Sequence, residues 1–332
     1  MKILITGVHG FVGSNLVNAL SAKYKYTIYG LDVVSPVKDG VQCTFRWDDL
    51  EKDGIIPDVD AIIHLAGKAH DTKNQVLADV YFHVNTELTQ RIYDYFLVSK
   101  AKKFIFFSSV KAVADSIEGE YVDENVSPAP KGPYGESKRA AEQYIISRKQ
   151  KYEEQCPLSP KQTYILRPCM IHGPGNKGNL NLLYGFVKLG IPWPFGAFEN
   201  RRTFTSIDNL CFIIEGLLTK DVEGGIYHIN DDDAVSTNEL IEIICEVIGR
   251  KVHIWKIPKV LMSGAAKIGG VLHLPLTPER MQKLTENYVS SNAKIKEALG
   301  IEKLPVNAKD GLVKTIQAFA CCDSDFKKGS DK

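Results

Sequence analysis

The sequence predicts an α/β protein: a doubly wound parallel sheet followed by a smaller C-terminal α/β domain. Three observations carry that prediction. Short β-rich apolar runs alternate with helix-period stretches through the first half of the chain. A glycine-rich turn, "TGVHGFVG", joins the first run to the first helical stretch. After Pro168 the alternation gives way to segments rich in glycine, proline and aromatic residues.

Taken in order, "KILITG", "YTIYGLD", "AIIHLAG", "KFIFFSS" and "TYILRP" read as strands. Each is a near-continuous apolar run closed by turn residues, as expected of strands covered on both faces. Residues 11 to 22, 80 to 99 and 134 to 150 read as the helices between them. "HGPGNKGN" is a glycine-rich loop. "TFTSIDNLCFIIEGLL" then predicts a return to the first domain, with a short strand, an N-cap near Asp208 or Asn209, and a helix. Helices over 236 to 248 and 290 to 299 complete the smaller domain. The expected organisation is residues 1–170 plus about 202–230 as a nucleotide-binding domain and 171–201 plus 231–320 as a substrate domain. Residues 321–332, "CCDSDFKKGSDK", are expected to be a disordered tail.

Composition narrows the function classes. A chain of 332 residues, 44% apolar, can build a large core. Its net charge of +1 offers no long-range field to nucleic acid or to an acidic membrane. The seven cysteines are scattered, with no CxxC or Cys/His spacing for zinc, and His64, His70 and His172 show no ligand spacing either. No metal is expected. "MKILITG" enters a strand at once and no apolar run is long enough to span a bilayer, so the expectation is a soluble, cytoplasmic protein with reduced thiols.

The glycine turn is the first motif with chemistry. Gly7, Gly10 and Gly13 allow a tight turn, close approach of backbone amides to a pyrophosphate, and close helix–strand packing. Their GxxGxxG spacing meets the generic dinucleotide fingerprint only in part. Asp32 strengthens it. This acid ends the second strand, 19 residues past Gly13, where a carboxylate can accept hydrogen bonds from the adenosine ribose. It would repel a 2′-phosphate, so NAD is favoured over NADP. Asp49 in "WDDL" is either an adenine neighbour or a solvated turn acid. "GPGNKGN" follows a strand but lacks the Gly-Lys-Ser/Thr ending of a P-loop, which excludes that class of nucleotidase.

The second motif is "YGESK". Tyr134 and Lys138 lie one helical turn apart, on one face. A free phenol titrates near ~10, and a nearby ammonium or a helix N-terminus favours its ionised form. Gly132 and Pro133 place Tyr134 in the first turn of a helix. "YGFVK", from Tyr184 to Lys188, repeats the pattern, so the spacing alone decides little. What separates the two is Ser109. It closes "FIFFSSV" at the carboxyl edge of the sheet, where it either orients a substrate hydroxyl or caps the next turn.

With these residues on the page, the chain resembles an extended short-chain dehydrogenase/reductase of the nucleotide-sugar epimerase/dehydratase group. The likeness covers about residues 1 to 315. It rests on "TGVHGFVG", Asp32, "IIHLAG", Asn85 in "HVNTELT", "FFSSV", "YGESK", "LRP", "HGPGNKGN" and "RRTFTSIDNL", in that order. The resemblance implies Ser109, Tyr134 and Lys138 as the catalytic set. It implies NAD contacts from Gly7, Gly10, Phe11, Val12, Gly13, Asp32, Asp49, Leu50, Leu65, Ala66, Gly67, Asn85, Tyr134 and Lys138. For the substrate diphosphate it implies Asn179 and Arg202, with Arg280 in "TPERM" as a further candidate and Ser109 on the sugar; solvated surface charge is the alternative for both arginines.

Two departures bear on the reaction. Many members of the group follow the serine with a Tyr-Gly pair, where this chain has Val113 and Ala114. That difference points to amino or deoxy sugars. The 4,6-dehydratases of the group carry an Asp-Glu pair where this chain has Val110 and Lys111, which disfavours dehydration. The implied activity is an NAD-dependent 4-epimerase of a UDP-hexose or UDP-N-acetylhexosamine, working through a transient 4-keto sugar. An NADH-dependent 4-keto reductase and a non-enzymatic NAD sensor are the alternatives, and a homodimer is implied.

Overall fold

The computed structural model describes residues 1–23, 25–68, 77–117, 119–271 and 277–330, excepting the side chains of 268–271, 279, 280, 283, 322 and 324–330. The chain begins with β1 (Lys2–Thr6), α1 (Phe11–Ser21), β2 (Thr27–Leu31), β3 (Thr44–Phe45) and β4 (Ala61–His64). Next come α2 (Ala78–Phe82), α3 (Leu88–Val98), β5 (Lys103–Phe107), α4 (Pro133–Gln155) and β6 (Gln162–Pro168). The second half holds β7 (Met170–His172), α5 (Asn179–Lys188), β8 (Arg202–Ser206), α6 (Ile207–Thr219), β9 (Gly225–Ile229) and β10 (Ala234–Val235). Helices α7 (Thr237–Val247), α8 (Lys259–Val271), α9 (Pro278–Thr285), α10 (Ala293–Leu299) and α11 (Ala308–Ser330) end it.

Seven strands form one sheet in the order β3-β2-β1-β4-β5-β6-β9, every neighbouring pair parallel. This is the doubly wound, Rossmann-type sheet that the alternating pattern predicts. Strand β1 shows why its sequence is apolar throughout. Ile3 and Ile5 point into a layer with Leu16, Val17 and Leu20 of α1 and Ile213, Ile214 and Leu217 of α6. Leu4, of opposite pleat, points into the other layer, with Ile92, Tyr93 and Phe96 of α3 and Ala141 and Ile145 of α4. Each such fully buried side chain contributes about 1.5–3 kcal/mol. The sheet order reverses between β1 and β4, and ligands bind such sheets beyond the carboxyl ends of the strands at that point.

A second lobe has its own core, built from α5, α7 and α11 around Trp193 and Phe195. A three-stranded sheet, β10-β8-β7, joins the two lobes' chains. Several details differ from expectation. The strand of "TFTSIDNL" is β8, and it pairs with β7 and β10 rather than entering the large sheet; only α6 returns to the first core. The seventh strand is instead β9, "GIYHI", which opens on the second of two glycines and carries a histidine inside the run, so it does not stand out in the sequence. Ser206, not Asp208 or Asn209, caps α6, its Oγ accepting the amide of Asn209 at 3.3 Å. The expected helix at 80–99 is interrupted by a π-helical turn at His83–Glu87. Helix α11 packs Leu312, Ile316 and Phe319 into the second core and runs on to Ser330.

Candidate active site

The nucleotide end is a cradle that admits only glycine. Gly7 has φ +69°, in the left-handed region. A Cβ on it would lie 2.8 Å from the Ala66 nitrogen, and one on Gly13 would lie 2.3 Å from the Gly7 oxygen. The Gly10 amide donates to the Gly7 carbonyl at 3.0 Å, closing the turn. Helix α1 then opens with no side-chain cap and no acid in its first turn. Phe11 and Val12 therefore contribute first-turn amides at the positive end of an 11-residue helix, a setting that suits a phosphate. Asp32 is pinned beside this turn. One carboxylate oxygen accepts the His9 amide at 3.0 Å and the other the Val33 amide at 2.8 Å. Each oxygen keeps a further lone pair for a ribose hydroxyl.

The other side of the cradle hangs on a buried histidine. Thr89 Oγ1 donates to the Asn85 carbonyl at 2.7 Å, so its oxygen accepts His64 Nε2–H at 2.8 Å. His64 Nδ1 is then the acceptor for the Thr6 hydroxyl at 2.6 Å, and the Thr6 oxygen accepts the Ala66 amide at 3.0 Å. Burial, with the Lys138 charge behind it, pushes the imidazole well below its ordinary pKa, in keeping with this neutral tautomer. The chain of bonds fixes Leu65, Ala66 and Gly67, with Leu65 packed on the first core layer. A histidine closing an otherwise apolar buried strand, "AIIH", is the signal from which sequence reasoning could have found this brace.

At the reacting end, α4 begins at Pro133, after Gly132 with φ +81°. Tyr134 is in its first turn, as the Gly-Pro pair predicts. The Ser109 hydroxyl hydrogen-bonds to the Tyr134 phenol and also accepts the Lys111 amide at 3.2 Å, capping the short turn that follows the strand. Burial raises the Tyr134 pKa; the Ser109 hydrogen bond lowers it, and Tyr81, whose ring meets Tyr134 edge-on at 6.2 Å, raises it further. Lys138 is 5% exposed. Its ammonium donates to the Phe107 carbonyl at 2.8 Å and lies 5.2 Å from the Phe106 ring centre. Burial pushes its pKa down to about 8, against the opposing pull of Glu142. A Cβ on Gly67 would sit 2.9 Å from Lys138 Nζ, so the two ends of the cleft meet there. Asn85, in the π-helical turn, binds both: its Oδ1 accepts the Lys68 amide at 2.7 Å and its Nδ2 donates to Ser137 Oγ at 3.0 Å.

One turn past Lys138, a buried ionic cluster supports the helix. Arg167 grips Glu142 with two hydrogen bonds, 2.9 and 2.7 Å, while Ser108 donates to the same carboxylate at 2.5 Å and Arg139 at 3.0 Å. Tyr288 is another residue the sequence did not single out. Its hydroxyl reaches the carbonyls of Val110 and Ala114, at 3.1 and 3.0 Å, and so fastens the loop after Ser109 to the second lobe. Lys111 in that loop lies 4.9 Å from the Tyr288 ring centre and 3.1 Å from an Asp115 carboxylate oxygen.

The remaining expected residues divide. Asp49 caps the short turn Trp47–Glu51, accepting the Arg46 amide at 2.9 Å and the Lys52 ammonium at 2.8 Å, and Leu50 packs on the second core layer. Arg202 opens β8 beside Tyr288; burial lowers its pKa and Glu286 opposes the shift. Asn179 is exposed at the first turn of α5, after a glycine loop that docks on α1 through Asn15 Nδ2 and the Pro174 carbonyl at 3.1 Å. Arg280 is in α9, and its side chain lies outside the described residues, as does His70. The second Tyr–Lys pair is a clip. Tyr184 and Lys188 both donate to Asp323 of α11, at 2.8 and 2.6 Å, and Tyr184 stacks edge-on with Phe319.

Comparison with known proteins places this geometry. The sequence profile of the NAD dependent epimerase/dehydratase family matches residues 3–230. The chain belongs to that family. Its members depend on NAD, and the glycine cradle with its uncapped helix end and pinned Asp32 fits a dinucleotide. A UDP-glucose 4-epimerase of Vibrio cholerae is 29% identical over 327 residues, 96% of this chain and 95% of the relative. A GDP-6-deoxy-D-talose 4-dehydrogenase of Aggregatibacter actinomycetemcomitans is 25% identical, over 74% of this chain and 80% of its own. The fold is that of the UDP-glucuronic acid 4-epimerase of Bacillus cereus, solved with NAD: TM-score 0.73 at 22% identity, covering 97% of this chain and 99% of that one. This family member is thus an NAD-dependent enzyme of the nucleotide-sugar epimerase/dehydratase type. Among the described residues, no helix is long and apolar enough to cross a membrane.

Proposed function

We infer that the protein is a nucleotide-sugar 4-epimerase acting on a UDP-hexose or UDP-N-acetylhexosamine. The observation that carries this reading is the Ser109–Tyr134 hydrogen bond set one helical turn from a buried lysine and opposite the nucleotide cradle. NAD, when bound, supplies the oxidation and the reduction at sugar C4. Ser109 holds the C4 oxygen in line with the phenol. Tyr134, ionised, takes the C4 hydroxyl proton as general base and returns it to the 4-keto oxygen when C4 is reduced on its other face. Ser109 is the group that opposes the effect of burial on the phenol, and the Lys138 ammonium, one helical turn on, is the cation that favours the phenolate once substrate and cofactor are in place. Arg202 binds the diphosphate from the second lobe, and Asn179 at the glycine loop shares that task. The net reaction inverts C4 and leaves the cofactor unchanged. The near full-length likeness to a UDP-glucose 4-epimerase supports this choice. So does the loop after Ser109, where Val110 and the already engaged Lys111 offer no acid–base pair for dehydration. The family likeness alone is the support for a homodimer and for a cytoplasmic setting.

A second reading is favoured by the 4-dehydrogenase relative: the same three residues used once, in an NADH-consuming reduction of a 4-keto nucleotide sugar. NMR of the protein mixed with UDP-glucose, UDP-galactose and their N-acetylamino counterparts, without reductant, separates the two. A C4 epimer appearing in any mixture supports the epimerase. Silence in all four, with NADH oxidation on a 4-keto nucleotide sugar, replaces it by the reductase.

A further inference from the structure

The net charge of +1 conceals a strongly uneven surface. Residues 248–277 contain no aspartate or glutamate, yet carry Arg250, Lys251, Lys256, Lys259 and Lys267. All five are exposed, and among the described residues none of them forms an ion pair. The same stretch exposes large apolar side chains: Trp255 at 56%, Val260 at 81% and Leu261 at 63%. Exposed tryptophan, exposed aliphatics and unpaired cations seldom share one short segment of a protein that works free in water.

The fold brings these groups to one end of the second lobe. Bridges between Trp193 and Ile254 and between Phe195 and Lys256 lay residues 252–256 alongside 193–195. Ile191, itself exposed, lines a groove with Arg250, Lys251 and His253. Lys259 Nζ lies 5.5 Å from the Phe198 ring centre, tying the start of α8 to the same surface. Within α8, Met262 and Ala266 are buried and set the inward face. Val260 is then roughly opposite them on the helix, with Leu261 flanking it.

We propose that this end of the second lobe is a docking surface for an anionic lipid bilayer, which the protein meets peripherally. The chemistry fits in both parts. Trp255 and the aliphatics Val260 and Leu261 enter the headgroup boundary, where tryptophan is favoured, and the cations sit among lipid phosphates. A second copy of the chain fits poorly, because a twofold contact on this face sets Arg250, Lys251, Lys256 and Lys259 against the same four cations. Nucleic acid would satisfy the cations but gives Val260 and Leu261 no apolar phase.

Flotation of the full chain with vesicles tests it. Vesicles of phosphatidylcholine mixed with phosphatidylglycerol carry the protein at low salt; vesicles of phosphatidylcholine alone do so far less, and about 0.5 M salt releases it. Lys256→Ala and Lys259→Ala each lower the partition about fivefold, and about 25-fold together. Trp47 and Trp193 are buried, so a blue shift of tryptophan emission on the mixed vesicles reports Trp255 and is absent in Trp255→Phe. The proposal is overturned by no binding, by equal binding to both vesicle types, or by binding that these variants leave intact. It is equally overturned if Leu261→Asp breaks a dimer seen without vesicles, which would assign the face to a second copy.

Discussion

Replacing Lys138 by methionine should abolish turnover yet change stability in a direction that depends on pH. The perturbation removes a cation held at the foot of the cleft, 5% exposed, whose pKa falls from 10.5 to about 8 through burial. A shift of that size corresponds to about 3 kcal/mol by which the folded state disfavours the charged form. Below pH 8 both folded and unfolded chains carry the ammonium, and the folded state bears the whole penalty. Between 8 and 10.5 the unfolded chain holds one more proton than the folded one, so stability rises with pH. Above 10.5 both are neutral and the penalty is gone. In Lys138→Met no such proton exists. The stability difference, variant minus parent, should therefore fall by about 3 kcal/mol between pH 7 and pH 10.5, at close to 1.4 kcal/mol per unit across the upper part. The lost hydrogen bond to the Phe107 carbonyl is a constant offset and drops out of the slope. Urea unfolding of both proteins without NAD, at several pH values, measures it. A pH-independent difference, or one that grows with pH, would refute the view that Lys138 is a buried cation under strain from desolvation.

Three other perturbations give expected outcomes. Tyr134→Phe keeps the ring that packs on Tyr81 and removes the proton acceptor; turnover should fall at least a hundredfold with NAD affinity within a few fold, read by steady-state kinetics and calorimetry. Glu142→Gln leaves Arg167, 1% exposed, as an unneutralised buried cation, and should cost about 3–5 kcal/mol in urea unfolding. His228 is buried with its pKa lowered to about 4, chiefly by burial and then by Arg167. The unfolded chain takes up a proton near 6.5 that the folded chain refuses, so stability falls as pH drops from 6.5 to 4. His228→Asn, which can keep the Ser290 partner, should remove about 3 kcal/mol of that fall; an unchanged acid midpoint would contradict it.

What the chain determined by itself is what local chemistry can state. Apolar runs with turn residues at their ends located five of the strands, because a strand covered on both faces has no polar side to show. The glycines of "TGVHGFVG" announced a turn, and the fold shows why: Ala66 and the turn's own carbonyl leave no room for a Cβ. Ser109, Tyr134 and Lys138 were legible as a set, since a strand end and a helix start each carry their own signals.

Tertiary structure decided whatever depended on distant partners. The two Tyr–Lys pairs have the same spacing, and only the fold shows that the second is spent on Asp323, 139 residues from Tyr184. Asp49 and Asp32 are both acids after strands. One is drawn into a local cap with Lys52, the other is held over the glycine turn by the amides of His9 and Val33. Tyr288 secures the loop after Ser109 across 178 residues, a link no local pattern contains. The sheet membership of β8 and β9 is of the same kind, because pairing is chosen by neighbours and not by the strand's own residues.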